Sequence, residues 1–146
     1  MANTKSIGVA FEDQDLKSSN TIYALAGTGQ LGYNTGSASV APSKVTQLTD
    51  KSTGVTINAS VGQIVTTNAA LAAGAEIAFV VTNSAISAYD VPIIALASGA
   101  TTAGTYLLSV AAVGAGTFTI VISNASTGSL SEALTINFAT IHVAQV

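Results

Sequence analysis

The chain has 146 residues, of which 49% are hydrophobic and only 8% are charged, and its formal net charge is −3. It contains no cysteine and no arginine, which excludes a disulfide framework and a thiolate metal site. The acidic balance leaves no basic surface for binding nucleic acid through its phosphates. An ordinary soluble domain has about a quarter of its residues charged. The surface of this chain must therefore be formed largely by uncharged residues or be buried against other molecules.

The charged residues are concentrated near the start of the chain. Residues 1–51 contain all four lysines and four of the seven acidic residues, whereas residues 91–131 contain no charged residue. This distribution indicates a β-sheet protein with a neutral polar surface, or one buried in an assembly. The segment 105–123 is long enough for a membrane-spanning helix. Its glycines, its alternating end and the absence of flanking Lys or Arg predict no membrane span.

Residues 1–52 differ in composition from the rest of the chain. They are rich in Ser, Thr, Gly and Asn, and we interpret them as an N-terminal arm and linker with one or two strands, such as NTIYALA. Residues 53–146 form the predicted core domain. The first residues, MANTKSIGVAFEDQD, lack a basic region followed by an apolar run. We therefore expect no secretory signal peptide and synthesis in a cytoplasm.

The arm contains a G-x-G-x-x-G pattern at Gly27, Gly29 and Gly32, and Asp50 follows at roughly the distance of a ribose-binding acid. A dinucleotide site needs a helix after the third glycine, because the helix N-terminus holds the pyrophosphate. The residues after Gly32 are YNTGSASVAPS, which favour a glycine loop between extended segments. We predict no bound cofactor.

A second pattern in the arm resembles the start of a calcium loop. Asp13 and Asp15 lie beside Glu12. A calcium loop needs glycine at its sixth position and glutamate at its twelfth, but Ser18 and Ala24 occupy these positions. We predict a solvated acidic patch and no metal site.

From residue 53 onward the sequence consists of short β-prone runs separated by Gly, Asn or Ser. The runs are 53–59, 62–68, 75–83, 90–98, 104–113, 116–124 and 132–146. This spacing predicts an all-β fold, an antiparallel β-sandwich or jelly roll of about seven or eight strands. Residues 67–78 have a weak helical pattern, but they are few and include Gly74, so we expect a turn there.

Alternation of apolar and polar residues is clearest near the end of the chain. It predicts two apolar faces, formed by Phe118, Ile120 and Ile122 and by Leu134, Ile136 and Phe138. The apolar positions then shift by one residue, to Ile141 and Val143. This shift predicts either a bulge near residues 139–140 or a last strand buried on both faces.

The sequence offers few candidates for catalysis. Ser129 and Ser131 lie near Glu132, and His142 is the only histidine. A serine nucleophile needs a base that a third group orients. On a straight strand, His142 would lie about 30 Å from these serines. The acids after residue 51 are far apart in sequence, and a single histidine without cysteine cannot anchor zinc. We therefore predict no enzyme, no catalytic residue and no metal.

Three segments resemble a family of small proteins encoded in tailed-bacteriophage genomes. They are MANTKSIGVAF, TDKSTGVTINASVGQIVTTNAALAAGAEIAFVVTNS and ASTGSLSEALTINFATIHVA, and together they cover about half of the chain. The resemblance implies a virion structural protein, specifically a head decoration (cement) protein with a β-sandwich core. The segment IYALAGTGQLGYNTGSASVAPSK departs from the family, in which this linker is shorter.

The expected function follows from the resemblance and agrees with the composition. We expect a protein that decorates and stabilises a capsid by binding the lattice of the major capsid protein at the virion surface. A homo-oligomer, most simply a trimer at a three-fold position, would bury neutral surface. The alternative is a tail-fibre or spike module that recognises host-surface glycans. The 5% aromatic content and the absence of tryptophan give it few residues for contacts with sugars.

Overall fold

The computed structural model describes residues 43–143, which form two four-stranded β-sheets packed as a sandwich. The strands are β1 (Ser43–Thr46), β2 (Val55–Thr56), β3 (Val61–Val65), β4 (Glu76–Thr82), β5 (Val91–Ser98), β6 (Tyr106–Gly114), β7 (Thr117–Asn124) and β8 (Thr135–Ile141). The predicted all-β sandwich is therefore confirmed. The weakly helical segment before β4 is a loop, which an isolated β-bridge between Leu71 and Leu130 and hydrogen bonds to Asn124 hold in place.

The first sheet has the strand order β1-β3-β8-β5, and the second has the order β2-β4-β7-β6. The pairs β3–β8, β5–β8, β4–β7 and β6–β7 are antiparallel. By contrast, β1 pairs in parallel with β3, and β2 pairs in parallel with β4. The first four strands alternate between the sheets, so each parallel pair is joined by the crossover connection that such pairs need.

The described part of the sandwich includes β1, which lies before the predicted boundary between arm and core. β1 lies within the predicted arm, and two residues that follow it, Gln47 and Lys51, are buried. The glycines at 27, 29 and 32 and the acidic residues 12–15 lie outside the described residues.

Both predicted apolar faces lie in the core. Phe118, Ile120 and Ile122 of β7 and Leu134, Ile136 and Phe138 of the β8 segment are all buried. They pack with Ile64 of β3 and with Phe79 and Val81 of β4. Burying one such side chain contributes roughly 1.5–3 kcal/mol, so this interior supplies the main driving force for joining the sheets.

The predicted bulge near residues 139–140 is wrong. β8 pairs with β3 and with β5 in continuous register through this region. The inward position after Phe138 is taken by Thr140, which is buried, while Ile141 points outward and is exposed. Side chains therefore alternate between the two faces without interruption. Because the inward residue Thr140 is polar and the outward residue Ile141 is apolar, the sequence pattern looks as if it had shifted by one residue. The irregular positions lie between Leu96 and Ser98 and between Val110 and Ala112.

The apolar segment 105–123 forms most of the β6–β7 hairpin. Among residues 43–143, no helix has both the length and the apolar character that crossing a membrane requires.

Candidate functional site

The outer face of the first sheet is apolar where β5 and β8 lie side by side. The strand register pairs Val91 with Ile141 and Ile93 with Ala139. Val91, Ile93 and Ile141 are 51%, 52% and 54% exposed, and Val143, just after β8, is also exposed. We call Val91, Ile93, Ile141 and Val143 the β5–β8 patch.

No charged residue occurs in β3, β5 or β8, the three strands around this patch. The nearest charge within the sheet is Lys44 on β1, which the strand order separates from β8 by β3. Single exposed apolar residues are ordinary on protein surfaces, but a contiguous group indicates a contact site. The patch is therefore a candidate contact surface.

The outer face of the second sheet is also nearly neutral. Glu76, at the start of β4, is the single charged residue in its four strands. Its carboxylate accepts a hydrogen bond of 2.8 Å from the hydroxyl of Ser123 on β7. The large apolar side chains on this face are Val80 and Leu107, which are exposed.

Three side chains beside the β5–β8 patch form a chain of hydrogen bonds. His142 Nδ1 lies 2.9 Å from Asp90 Oδ2, and His142 Nε2 lies 2.8 Å from Ser60 Oγ. Asp90 directly precedes Val91, and His142 directly follows Ile141, so this group borders the patch. We call it the Ser60–His142–Asp90 relay.

Backbone groups fix the carboxylate of Asp90. Its Oδ2 accepts a bond of 2.8 Å from the N–H of Ser87, and its Oδ1 accepts one of 2.9 Å from the N–H of Val143. These two N–H groups, that of Ser87 first, hold the pKa of Asp90 well below its usual range. Because an ionised carboxylate can only accept, Nδ1 of His142 carries a proton, and in the neutral ring Nε2 then accepts from Ser60 Oγ–H.

The loop that carries Ser60 is held from both sides. Asn83 is buried directly after β4. Its Nδ2 donates to the carbonyl of Ala59 at 2.7 Å, and its Oδ1 accepts from the N–H of Ala59 at 3.2 Å. The carbonyl of Ser60 accepts a bond of 2.8 Å from the N–H of Thr140 on β8. Ser60 is thus attached to the end of the strand that leads to His142.

Sequence reasoning considered His142 only with Ser129 and Ser131 and rejected that pairing. Ser129 Oγ donates to the carbonyl of Leu71 at 3.4 Å, whereas Ser60, 82 positions before His142, is the serine within hydrogen-bond distance of the imidazole. No local sequence signal marks Ser60. Its approach to His142 results from the pairing of β3 with β8, which is a tertiary contact.

A second polar cluster surrounds Glu132. Its carboxylate accepts bonds from Tyr106 Oη at 2.7 Å and from the N–H of Thr101 at 3.1 Å. Lys51, which is buried, donates from Nζ to the carbonyls of Glu132 at 2.7 Å and of Thr67 at 2.5 Å. Burial lowers the pKa of Lys51. The cluster joins the loops that contain Lys51, Thr101 and Glu132.

The acids of the sandwich do not pair with one another. Glu76, Asp90 and Glu132 each bond a different partner, namely Ser123, His142 and Tyr106. Asp50 caps its own turn, since its Oδ1 accepts from the N–H of Ser52 at 2.8 Å. Within residues 43–143, no three His, Cys, Asp or Glu side chains are grouped so that they could hold a metal ion.

The strands themselves show the β-sandwich, while the resemblance to phage virion proteins stays a prediction. Comparisons of the chain with protein-family models, with curated proteins and with solved structures found no match.

Proposed function

We propose that this protein is a structural component of a tailed-phage virion that decorates and stabilises the capsid. It binds the lattice of the major capsid protein through the β5–β8 patch and lies on the virion surface. The observation that carries the proposal is the patch itself, a group of half-exposed large apolar side chains on strands without charge. Burial of apolar surface contributes about 25 cal/mol per Å².

The charge of the protein supports a protein partner. Binding to nucleic acid depends on basic residues that neutralise phosphates, whereas this chain has a net charge of −3 and four lysines. One of these lysines, Lys51, is buried and bonded to two carbonyl groups. The partner surface is therefore expected to be apolar and neutral.

The copies of this protein meet across the outer face of the second sheet and form a homo-oligomer, with a trimer favoured. This face has Leu107 and Val80 exposed, and β6 and β7 both lie in the uncharged stretch 91–131. A trimer on a three-fold axis engages three equivalent lattice sites at once. Such multivalency strengthens attachment without any new kind of contact.

Two charge substitutions separate the two surfaces. Ile93→Lys is expected to reduce co-sedimentation with purified phage particles at least about tenfold, since it buries a charge in an apolar contact, and to leave the oligomer intact. Leu107→Lys is expected to give a monomer by light scattering. Thr46→Lys, at an exposed position on β1, is the matched control and should behave as the wild type.

Antibody labelling of virions in electron microscopy tests the location independently. Label spread over the head supports decoration, and virions without label on the head refute it. If Ile93→Lys attaches as well as Thr46→Lys, the assignment of the patch is wrong even where the label lies on the head.

A host-recognition module is the second candidate, and one observation favours it. Tyr89, in the loop before β5, is 67% exposed and adjoins Asp90. An exposed aromatic ring beside polar groups is the combination that carbohydrate sites offer. In this case antibody would label the tail, and Tyr89→Ala would abolish binding to host polysaccharide while Ile93→Lys would retain it.

A further inference from the structure

We propose that the Ser60–His142–Asp90 relay activates Ser60 as a nucleophile, which makes Ser60 the acyl acceptor for carboxylic esters. This activity goes beyond attachment to a capsid and does not rest on it. It is a chemical property of three side chains and their hydrogen bonds.

The order of the atoms carries the proposal. An activated serine needs a base on its hydroxyl and a third group that orients the base. Here Ser60 Oγ lies 2.8 Å from His142 Nε2, and Nδ1 of the same ring lies 2.9 Å from Asp90 Oδ2. Both distances fall within the range for proton transfer, and the two ring nitrogens have the roles that the chemistry requires.

The carboxylate of the relay is buried, while the imidazole is accessible to a substrate. The side chain of Asp90 is only 3% exposed, whereas that of His142 is 40% exposed. The carboxylate is thus shielded from water and fixed by the N–H groups of Ser87 and Val143, so it holds the imidazole in one orientation. The exposed part of the imidazole and the half-buried Ser60 can be reached by a substrate on the surface.

The neighbouring residues indicate the class of ester. Ile141 and Val143 directly flank His142 in the chain, and Val91 directly follows Asp90. All three are large apolar residues that are about half exposed. These residues are apolar and uncharged, so the described chain around the relay offers no charged group to recognise a charged ester, and the proposal is confined to uncharged carboxylic esters.

The reaction has two halves. Ser60 Oγ bonds to the carbonyl carbon while its proton moves to His142 Nε2, and the carbonyl becomes an oxyanion. When the oxyanion collapses, the bond to the leaving alcohol breaks, and the alcohol takes the proton from Nε2. Water then attacks the acyl-serine in the same way, which releases the carboxylic acid and restores Ser60.

The same hydrogen bonds also hold residues 142–143 to the loop before β5, which is a structural role. A variant that removes them could lower stability without any connection to chemistry. His142→Gln separates the two roles, because an amide can still donate to Asp90 and accept from Ser60 but cannot take a proton. A purely structural relay would tolerate this change.

The full chain is treated with a fluorophosphonate probe, and its peptides are analysed by mass spectrometry. Attack by Ser60 Oγ forms an O–P bond and breaks the P–F bond, so fluoride leaves and the adduct remains on the serine. We expect an adduct on Ser60, no adduct there in Ser60→Ala, and labelling at least about 100-fold slower in His142→Gln, because general-base assistance contributes at least that much.

Ser126→Ala is the matched control. Ser126 Oγ bonds Asn124 Oδ1 at 2.6 Å and the carbonyl of Gly128 at 2.9 Å, and neither group is a base for serine. In this variant the probe should label Ser60 at the wild-type rate. Thermal unfolding, followed by circular dichroism, shows that each variant is folded before its labelling rate is compared.

A second measurement uses the ester p-nitrophenyl butyrate. Its expected result is a rapid release of p-nitrophenolate, up to one equivalent of folded protein, that Ser60→Ala abolishes. The proposal is overturned if folded wild-type protein shows neither adduct nor release, if the adduct forms only on other serines, or if His142→Gln labels as fast as the wild type.

Discussion

The ring of Phe118 in β7 packs against the ring of Phe138 in β8, with centroids 5.6 Å apart and planes inclined by 53°. The two strands belong to different sheets, and both rings are almost completely buried. Tilted aromatic pairs at this separation contribute about 0.5–1.5 kcal/mol beyond the burial of their area. The pair is therefore a direct link between the two sheets.

Truncation of Phe138 tests this link. Phe138→Ala is expected to lower the free energy of unfolding by about 3–5 kcal/mol, through lost transfer energy and the cavity that remains. Asn137→Ala changes the exposed neighbour, which bonds Gln63 at 2.9 Å, and should cost less than about 1 kcal/mol. Denaturant titration at several protein concentrations separates folding from association. Equal losses in the two variants would contradict the assigned faces of β8.

Lys51 is a buried cation with a structural role. Lys51→Met leaves the carbonyls of Thr67 and Glu132 without their donor. An unsatisfied buried group costs about 1–3 kcal/mol, so we expect a loss of at least that size in the free energy of unfolding. Lys44→Met, at an exposed position on β1, should change it by less than about 0.5 kcal/mol. If both variants unfold at the same denaturant concentration, the loops do not depend on Lys51.

Alanine substitutions at two glycines with positive φ distinguish the cost of backbone strain from the cost of steric overlap. Gly104 has φ of 80° and open space where an added Cβ would lie, whereas Gly99 has φ of 105° and its Cβ would overlap the carbonyl oxygen of Ala133. Gly104→Ala should cost about 1–2 kcal/mol from the left-handed backbone alone. Gly99→Ala should cost clearly more, because backbone must also move. Thermal unfolding would contradict this if Gly104→Ala were the more damaging change.

Much of the sandwich could be predicted from local pattern. The alternation around Phe118 and Phe138 identified the inward faces because each strand has one buried side. The inward orientation of Thr140 could not be predicted in this way. In the sequence pattern, a polar residue such as threonine is assigned to the solvent-facing side, although Thr140 is buried. The parallel pairing of β1 with β3 also has no local signal, because it depends on the chain crossing between sheets.

The candidate site was largely hidden from the sequence. Asp90 and His142 are recognisable as titratable residues, but they are 52 positions apart, and Ser60 is one of many serines. Their meeting depends on the register of β8 between β3 and β5. A one-residue change of register would reverse the faces of the strand, and no motif fixes that register.

Removal of residues 1–42 tests the division of the chain. The eight strands of the described sandwich lie between Ser43 and Ile141, so the shortened protein should unfold in one cooperative thermal transition. Residues 1–42 contain five of the eleven charged residues of the chain, and we expect their loss to abolish attachment to phage particles. Attachment at the wild-type level would contradict the second expectation, and a broad, non-cooperative transition would contradict the first.

The last prediction concerns Tyr106. Burial, followed by the hydrogen bond to Glu132, raises the pKa of Tyr106 to about 12, above the ordinary value of 10.0. Its contribution to stability is therefore present below pH 10 and is lost as the pH rises toward 12. Lys51, whose pKa is lowered by burial, contributes with the opposite sign, so stability alone cannot isolate the tyrosine.

Tyrosinate absorbance at alkaline pH isolates it directly. In the wild type, one part of the absorbance change should occur near pH 12, and Tyr106→Phe should remove that part. Glu132→Gln removes the charged acceptor but not the burial, so the late step should move to lower pH and stay above the ordinary tyrosine value. If Tyr106→Phe instead removes a part of the absorbance change near pH 10, and not the part near pH 12, Tyr106 ionises as an ordinary exposed tyrosine. In that case the hydrogen bond between Tyr106 and Glu132 does not form in solution.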